Sequence, residues 1–334
     1  MKSYMFNLNR LLGIAISLMG VMACTDEGPS ADAIDMSQIH IVEDYVDSRD
    51  GHSYKCVQIG TQIWMAENLA YYLPGGAVDG CYTYGQKIFD IDKVTLSGKQ
   101  WGQVARDLFA EMSEDMDALT YGLIDMYIEY MENGLPENIA LSGIQKASPA
   151  FYEALLPRLE NAKAATSKDA MLETETENGG YSAKYGFLYS LDGARLAVPE
   201  GWRLPTDDDW KKLEAVLGMQ PTEIEKMNAW RGTTVGDYLK LGGESGFDAK
   251  YGGCDAYEYA AAAMCYIKEG ECGYYWTDTE TLQVSDEDSE EGVVRMGLIR
   301  QVAIYSSAIW RGVTRLENGY RPVMYSVRCV KDVQ

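Results

Sequence analysis

Histidine is nearly missing from this chain. Only His40 and His52 occur in 334 residues, so histidine-based zinc sites and Ser-His-Asp triads have almost no material. Positive charge is also scarce: 29 Lys and Arg stand against 51 Asp and Glu, a formal net charge of −22. That excludes the basic footprint a nucleic-acid partner needs, and it disfavours electrostatic docking on anionic lipid. Such acidity suits a protein kept soluble outside the cell. No phosphate loop is present, because no strand leads into a Gly-x-x-x-x-Gly-Lys-Ser/Thr arrangement. The glycines between Arg231 and Gly253 read instead as tight turns. The longest apolar run, Leu11 to Met22, is short for a membrane span. Hydrophobic residues nevertheless make up 46%, enough for a real core. No cofactor and no metal site is expected.

What is present begins with a leader. Met1 to Ala23 reads as a secretory signal, with Lys2 and Arg10 as its charged part. It ends Val21-Met22-Ala23-Cys24, which resembles a bacterial lipobox with Cys24 as the lipidated residue. An ordinary signal peptide with an incidental cysteine, or a true N-terminal anchor, are the other readings. Thr25-Asp26-Glu27 follows, similar to the surface-export signal of Bacteroides-type lipoproteins. The expectation is an outer-membrane protein, lipid-anchored and facing outward, held by buried methylenes without a spanning helix. Residues 24–44 read as an acidic flexible linker.

The organising element is Gly201-Trp202-Arg203-Leu204-Pro205-Thr206-Asp207-Asp208-Asp209-Trp210. Pro205 keeps Leu204 extended. Thr206 caps a helix, with Asp209 completing a capping box. The three aspartates suit the positive end of the helix dipole. Trp210, Leu213, Val216 and Leu217 follow at helical spacing. Strands are expected at Tyr54–Ile59, Tyr274–Trp276, Val293–Ile299 and Gln301–Tyr305. The strongest alternation of all is Val323, Tyr325, Val327 and Cys329.

Between Gln86 and Gly180 a different pattern appears. Trp101, Val104, Ala105, Leu108, Phe109, Met112, Met116, Leu119, Leu123, Met126, Tyr127 and Tyr130 predict one long amphipathic helix, broken near Gly122. Asn133-Gly134 and Pro136 stop it. A second helix starts at Ser148-Pro149, and Pro157 should kink or divide it. Residues 164–180 read as a polar loop.

A resemblance joins the flanking segments. The string Asp50-Gly51, Tyr54-Lys55, Ile59-Gly60, Gln62 and Trp64-Met65-Ala66-Glu67-Asn68-Leu69 resembles the opening of the Fibrobacter succinogenes major paralogous domain. Cys81-Tyr82-Thr83-Tyr84, Tyr185-Gly186-Phe187-Leu188-Tyr189, Pro199-Glu200-Gly201-Trp202-Arg203-Leu204-Pro205-Thr206, Ser245-Gly246-Phe247, Tyr274 to Glu280 and Ser326-Val327-Arg328-Cys329 agree in order. The family occurs in secreted and surface proteins. The resemblance implies an α+β, C-type-lectin-like fold related to formylglycine-generating enzymes. Short antiparallel strands, two or more helices and a helical insertion at about 86–180 would make one domain over 45–334. The family's biochemical activity is poorly defined.

In lectin-like folds the first and last strands pair, which makes Cys56 and Cys329 candidate partners. The other expected disulfides are Cys265–Cys272 and Cys81–Cys254, although six cysteines allow 15 pairings. Val198 stands where the family often has a cysteine, so its pairing pattern does not carry over directly. The Glu-Pro-Asn and Gln-Pro-Asp triplets of C-type lectins are absent, which disfavours calcium-dependent sugar binding. Cys329 has no neighbour in sequence for formylglycine-generating chemistry. Among 51 acidic residues a hydrolase pair always exists, so that signal has no specificity. Aromatic surface remains, with 24 Tyr and 7 Trp, side chains suited to sugar or protein recognition. The ligand-binding candidates are Tyr257, Tyr259, Tyr275, Trp310 and Tyr320, while Trp64, Trp202, Trp210 and Trp276 are assigned to the core. The expected role is noncatalytic binding of a glycan or an exported protein. A polysaccharide hydrolase and a structural subunit of a surface assembly, such as a fimbrial tip, are the alternatives.

Overall fold

The computed structural model describes residues 34–86, 94–258, 263–284, 293–318 and 321–333. Cys24, Tyr259 and Tyr320 lie outside them. In chain order the elements are β1 (Ile39–Val46), β2 (Ser53–Ile59), β3 (Gln62–Met65), β4 (Cys81–Tyr82), α1 (Gly98–Met112), α2 (Ala118–Glu132), α3 (Glu137–Ala147), α4 (Pro149–Glu177), α5 (Tyr181–Tyr185), β5 (Leu188–Tyr189) and α6 (Leu191–Ala197). Then come α7 (Asp207–Val216), α8 (Pro221–Ile224), β6 (Ala229–Arg231), α9 (Val235–Leu239), β7 (Cys254–Glu258), β8 (Ala263–Ile267), β9 (Cys272–Val284), β10 (Val293–Ala303), β11 (Ile309–Arg315), β12 (Glu317–Asn318), β13 (Arg321–Pro322) and β14 (Val330–Asp332). The class is α+β, with antiparallel sheets.

Two four-stranded sheets frame the molecule, ordered β1-β2-β3-β14 and β6-β11-β10-β9. Two apolar cores lie against them. One gathers Tyr54, Met65, Tyr189, Trp202, Trp276, Ile299 and Tyr325. The other gathers Val57, Trp64, Trp210, Leu213, Phe247, Tyr275, Val302 and Ile309. The four tryptophans assigned to the core are all buried.

The organising element forms as its residues dictate. Arg203 pairs with Val330 through both backbone groups, so the chain enters extended. The Thr206 hydroxyl accepts from the Asp209 amide, and the Asp209 carboxylate accepts from the Thr206 amide at 2.8 Å. The helix dipole is only part of the reason for the aspartates. Asp208 is exposed, but Asp207 and Asp209 are buried against arginines.

The helical region differs in detail. Its first stripe is two helices, and the break comes at Asp117, which caps α2 by accepting from the amides of Leu119 and Thr120. An N-cap carboxylate offers the backbone more than Gly122 takes away. α3 was not expected. α4 starts at Pro149 with Ser148 as cap, as expected, and runs unbroken past Pro157 to Glu177. Residues 164–177 are therefore helix and not loop. Alanine, lysine, methionine and glutamate favour it, and Ser167 and Met171 are buried along it. These four helices enclose a core of their own around Trp101, Phe109, Ile128, Ile144 and Phe151. Gly143 is required there, because the Tyr127 ring fills the space a Cβ would take.

The alternating segment 323–329 is not a strand of either four-stranded sheet. It runs through the interior and pairs one residue at a time, Met324 with Asp255, Tyr325 with Tyr189 and Ser326 with Tyr275. Met324, Ser326 and Arg328 are as buried as the apolar residues between them. The Arg328 guanidinium donates to Asn68 Oδ1, Met65 O, Phe247 O and Asp248 O at 2.5–3.0 Å.

No disulfide joins any of the six described cysteines, which corrects the expected disulfides. Met65 separates Cys56 from Cys329: it is the register partner of Cys56, and its amide donates to the Cys329 carbonyl at 3.0 Å. Two strand spacings, roughly 10 Å, are too far for a disulfide. Tyr189 and Tyr325 stand between Cys81 and the Cys254 segment. Cys265 lies level with Ala256, whereas Gly253 donates to the Cys272 carbonyl, an offset of about 10 Å along β7. Burial pushes the Cys81 and Cys329 thiols up, away from reactive thiolate.

Candidate functional site: an aromatic corner

Side chains alternate across a strand, and β6, β11, β10 and β9 use that alternation for two purposes. One register row crosses all four strands: Trp230 opposite Trp310, Trp310 opposite Gln301, and Gln301 opposite Tyr274. Further along this face, Ile299 and Trp276 are covered by the first core. At the outer end the cover stops. Trp230 is 36% exposed and Tyr305, on the turn after β10, is 61% exposed.

These rings meet as a corner. The centroids of Trp230 and Trp310 are 5.9 Å apart with planes inclined 66°, and those of Trp230 and Tyr305 are 6.5 Å apart at 64°. Gly312 leaves room for the Trp310 indole, since a Cβ there would sit 2.5 Å from Trp310 Nε1. Behind the rings, Gln301 Nε2 donates to Cys272 Sγ and to Tyr274 Oη, both at 3.2 Å. Cys272 Sγ shares a 3.3 Å hydrogen bond with Tyr305 Oη. That bond, with burial second, pushes the Tyr305 phenol up to about 12, so Tyr305 stays neutral at any physiological pH.

The opposite face of the same strands carries arginines. Arg231 Nη2 and Arg300 Nε donate to Glu214 Oε1 at 2.8 and 2.6 Å. Arg311 donates to both Asp207 oxygens at 2.9 and 2.6 Å, and Arg300 Nη1 lies 2.9 Å from Asp207 Oδ1. Burial works to raise the Asp207 carboxyl, but the Arg311 and Arg300 partners overcome it and hold it well below the usual carboxylate range. This buried network fixes the strands whose other face bears the corner.

The sequence candidates distribute unevenly. Trp310 is part of the corner. Tyr275 is not a ligand residue: it is 0% exposed, packed against Trp210 and Phe247, and its hydroxyl donates to Lys250 O at 2.8 Å. It faces the second core because it neighbours Tyr274 on the strand. Tyr257 lies on β7 opposite Met264, away from this row. Trp230 and Tyr305 were missed. A signal existed, since Trp-Arg-Gly occurs twice, at 230–232 and 310–312, and the two tryptophans are register partners.

The model of the Fibrobacter succinogenes major domain matches residues 151–331, more than half of the 334-residue chain. The chain belongs to that family. No curated protein matches it, and no solved structure does. The domain match begins within α4 and takes in every residue of the corner. It does not reach β1, β2 and β3, where the resemblance opens. A Fibrobacter succinogenes major domain carries no stated activity, so chemistry must come from the site itself.

Elsewhere, one surface depression is lined by Asp79, Asp192 and Glu317 with Ser190, Leu196 and Pro322. Asp192 there pairs with Arg195 and Arg295, and Asp79 accepts from the Gly75 amide at 2.8 Å. Among the described residues no cluster of three His, Cys, Asp or Glu could hold a metal ion.

Proposed function

We propose that this domain is a noncatalytic recognition module on a surface lipoprotein, anchored through Cys24, that binds glycan at the corner formed by Trp230, Trp310 and Tyr305. The observation that carries the reading is the corner itself. Large apolar rings remain exposed at the end of a rigid sheet, in a chain of net charge −22, where solubility alone would favour carboxylates. Rigid aromatic side chains contribute contact area at low entropic cost. The lectin-like fold and the outward-facing outer-membrane location belong to the same proposal. They are supported by the family landmarks, the leader pattern and the acidity.

A second surface supports a protein partner. Leu119, Gly122, Leu123, Met126 and Tyr130 share one face of α2, and Leu119 is 73% exposed. An apolar stripe of this kind is ordinarily covered.

A glycan-array screen of the full chain beside its Trp310→Ala variant, with and without EDTA, tests the first reading. Binding that survives EDTA and is lost in the variant supports it. Binding that survives the substitution refutes the corner as the site. No glycan binding by either protein moves the weight to a protein partner on α2.

A further inference from the structure

Building on the glycan reading above, we propose that the corner takes one uncharged hexopyranose residue at a time, at an end or branch of a soluble glycan, without a metal ion. The ring geometry comes first. A flat polysaccharide surface is met by coplanar rings spread along it. Here the planes are inclined at 66° and 64° with centroids only 5.9 and 6.5 Å apart. Rings so placed pack edge to face against one another, so no two of them offer coplanar faces and a sugar can stack on only one at a time. The C–H face of a pyranose can lie on one indole while its edge meets the next ring.

Charge comes second. Trp230, Trp310, Tyr305, Gln301, Asn228 and Met227 form the corner and its rim, and none carries a charge. Glu271, the acidic residue beside Tyr305, is paired with Lys268 at 3.0 Å. Arg231, Arg300 and Arg311 face away and are committed to Glu214 and Asp207. Among the described residues a uronate, sialate or sulfate would therefore meet no cation that is not already paired with a carboxylate, in a strongly acidic protein.

Hydrogen bonding comes third. The nitrogen of Gln301 is held by Cys272 and Tyr274, which leaves Oε1 as an acceptor. Asn228 Oδ1 accepts from the Val313 amide at 3.2 Å, which leaves Nδ2 as a donor. Gln301 is the register partner of Trp310 on β10, and Asn228 lies against the Gly312 position over which the indole sits. A neutral acceptor and a neutral donor beside one ring suit sugar hydroxyls, which both give and take hydrogen bonds.

The test is calorimetric titration of the full chain with glucose-, galactose- and mannose-terminated oligosaccharides. Glucuronate-terminated and sulfated counterparts are titrated in parallel, and microcrystalline cellulose is used for pull-down. The expected result is binding of a neutral oligosaccharide, at least roughly tenfold tighter than its anionic counterpart. It should be unchanged by EDTA and displaced by the free terminal monosaccharide. Trp310→Ala should weaken it at least roughly tenfold, while Trp310→Phe, which keeps a ring, should recover part of the loss. Cooperative urea transitions certify that both variants are folded. Trp310-dependent binding that prefers the anionic sugar, requires a metal or occurs only on cellulose overturns this inference and leaves the corner as a glycan site. Binding indifferent to Trp310, or none to any probe, overturns both.

Discussion

Glu214→Gln should be among the most damaging isosteric substitutions in this protein. Glu214, Arg231 and Arg300 are all fully buried, and one carboxylate oxygen serves both guanidinium groups at 2.8 and 2.6 Å. Glutamine keeps the volume and one acceptor oxygen but removes the charge. Arg300 would then be left with Asp207, which also serves Arg311, and Arg231 would have no carboxylate partner among the described residues. Breaking a buried ion pair from one side costs about 3–5 kcal/mol, because the other charge stays buried. The retained amide oxygen places the expected loss near the lower end, about 3 kcal/mol. With an m-value of about 3 kcal/mol/M, the urea midpoint should fall by about 1 M. The melting temperature should drop by roughly 5 °C. Equilibrium urea unfolding followed by tryptophan fluorescence reads this directly. Arg158→Ala is the control: it removes an exposed partner of Glu111 and should leave the midpoint in place. A Glu214→Gln midpoint indistinguishable from that control would refute the claim that this network holds the sheet.

The acid limb offers a second check. Asp207 has a folded pKa below its unfolded value, so the unfolded chain takes up that proton first as pH falls. Its contribution is full above about pH 4 and drains away through more acid pH. Asp207→Asn should lower stability at neutral pH and flatten the fall of the urea midpoint between about pH 4 and pH 2; an unchanged slope would place the acid sensitivity elsewhere. Gly143→Ala should destabilise the helical region by about 1–3 kcal/mol through overpacking against Tyr127, and trimming that ring in a Tyr127→Ala background should remove most of the effect. Cys24→Ala should abolish incorporation of labelled fatty acid and release the protein from the membrane fraction; retained label would show that Cys24 is not the lipidated residue.

Local rules made the organising element legible. Thr206, Asp209, Pro205 and Trp210 act within a few residues of one another, and each did what its chemistry requires. The same holds for Ser148 and Pro149 at the start of α4. Errors arose where the deciding contact is distant in sequence. The alternation at 323–329 is real, yet both of its faces are buried, because Asn68, Phe247 and Asp248 reach Arg328 from other parts of the chain. The disulfide expectation failed for a similar reason. Cys56 lies on β2 and Cys329 just before β14, strands that look adjacent until β3 is placed between them, and β3 follows β2 by a turn only two residues long.

The corner was half legible, and the missing half lies in how one tripeptide behaves in a sheet. A tryptophan followed by an arginine places the two side chains on opposite faces. The glycine two residues beyond the tryptophan returns to the tryptophan's face and leaves it bare. At 310–312 that bare space is where the indole lies. When two such tripeptides pair antiparallel with tryptophan opposite tryptophan, the rings must gather on one side and the arginines on the other. The arginines then need buried acids, and α7 supplies them as Asp207 and Glu214. The helix at the centre of the sequence reading thus reaches the corner through the sheet, by way of Arg231, Arg300 and Arg311. Substitutions at Glu214 should therefore loosen the corner without touching any ligand, lowering affinity and stability together, whereas Trp310→Ala should lower affinity out of proportion to the smaller stability lost with its packing on Trp230 and Gly312.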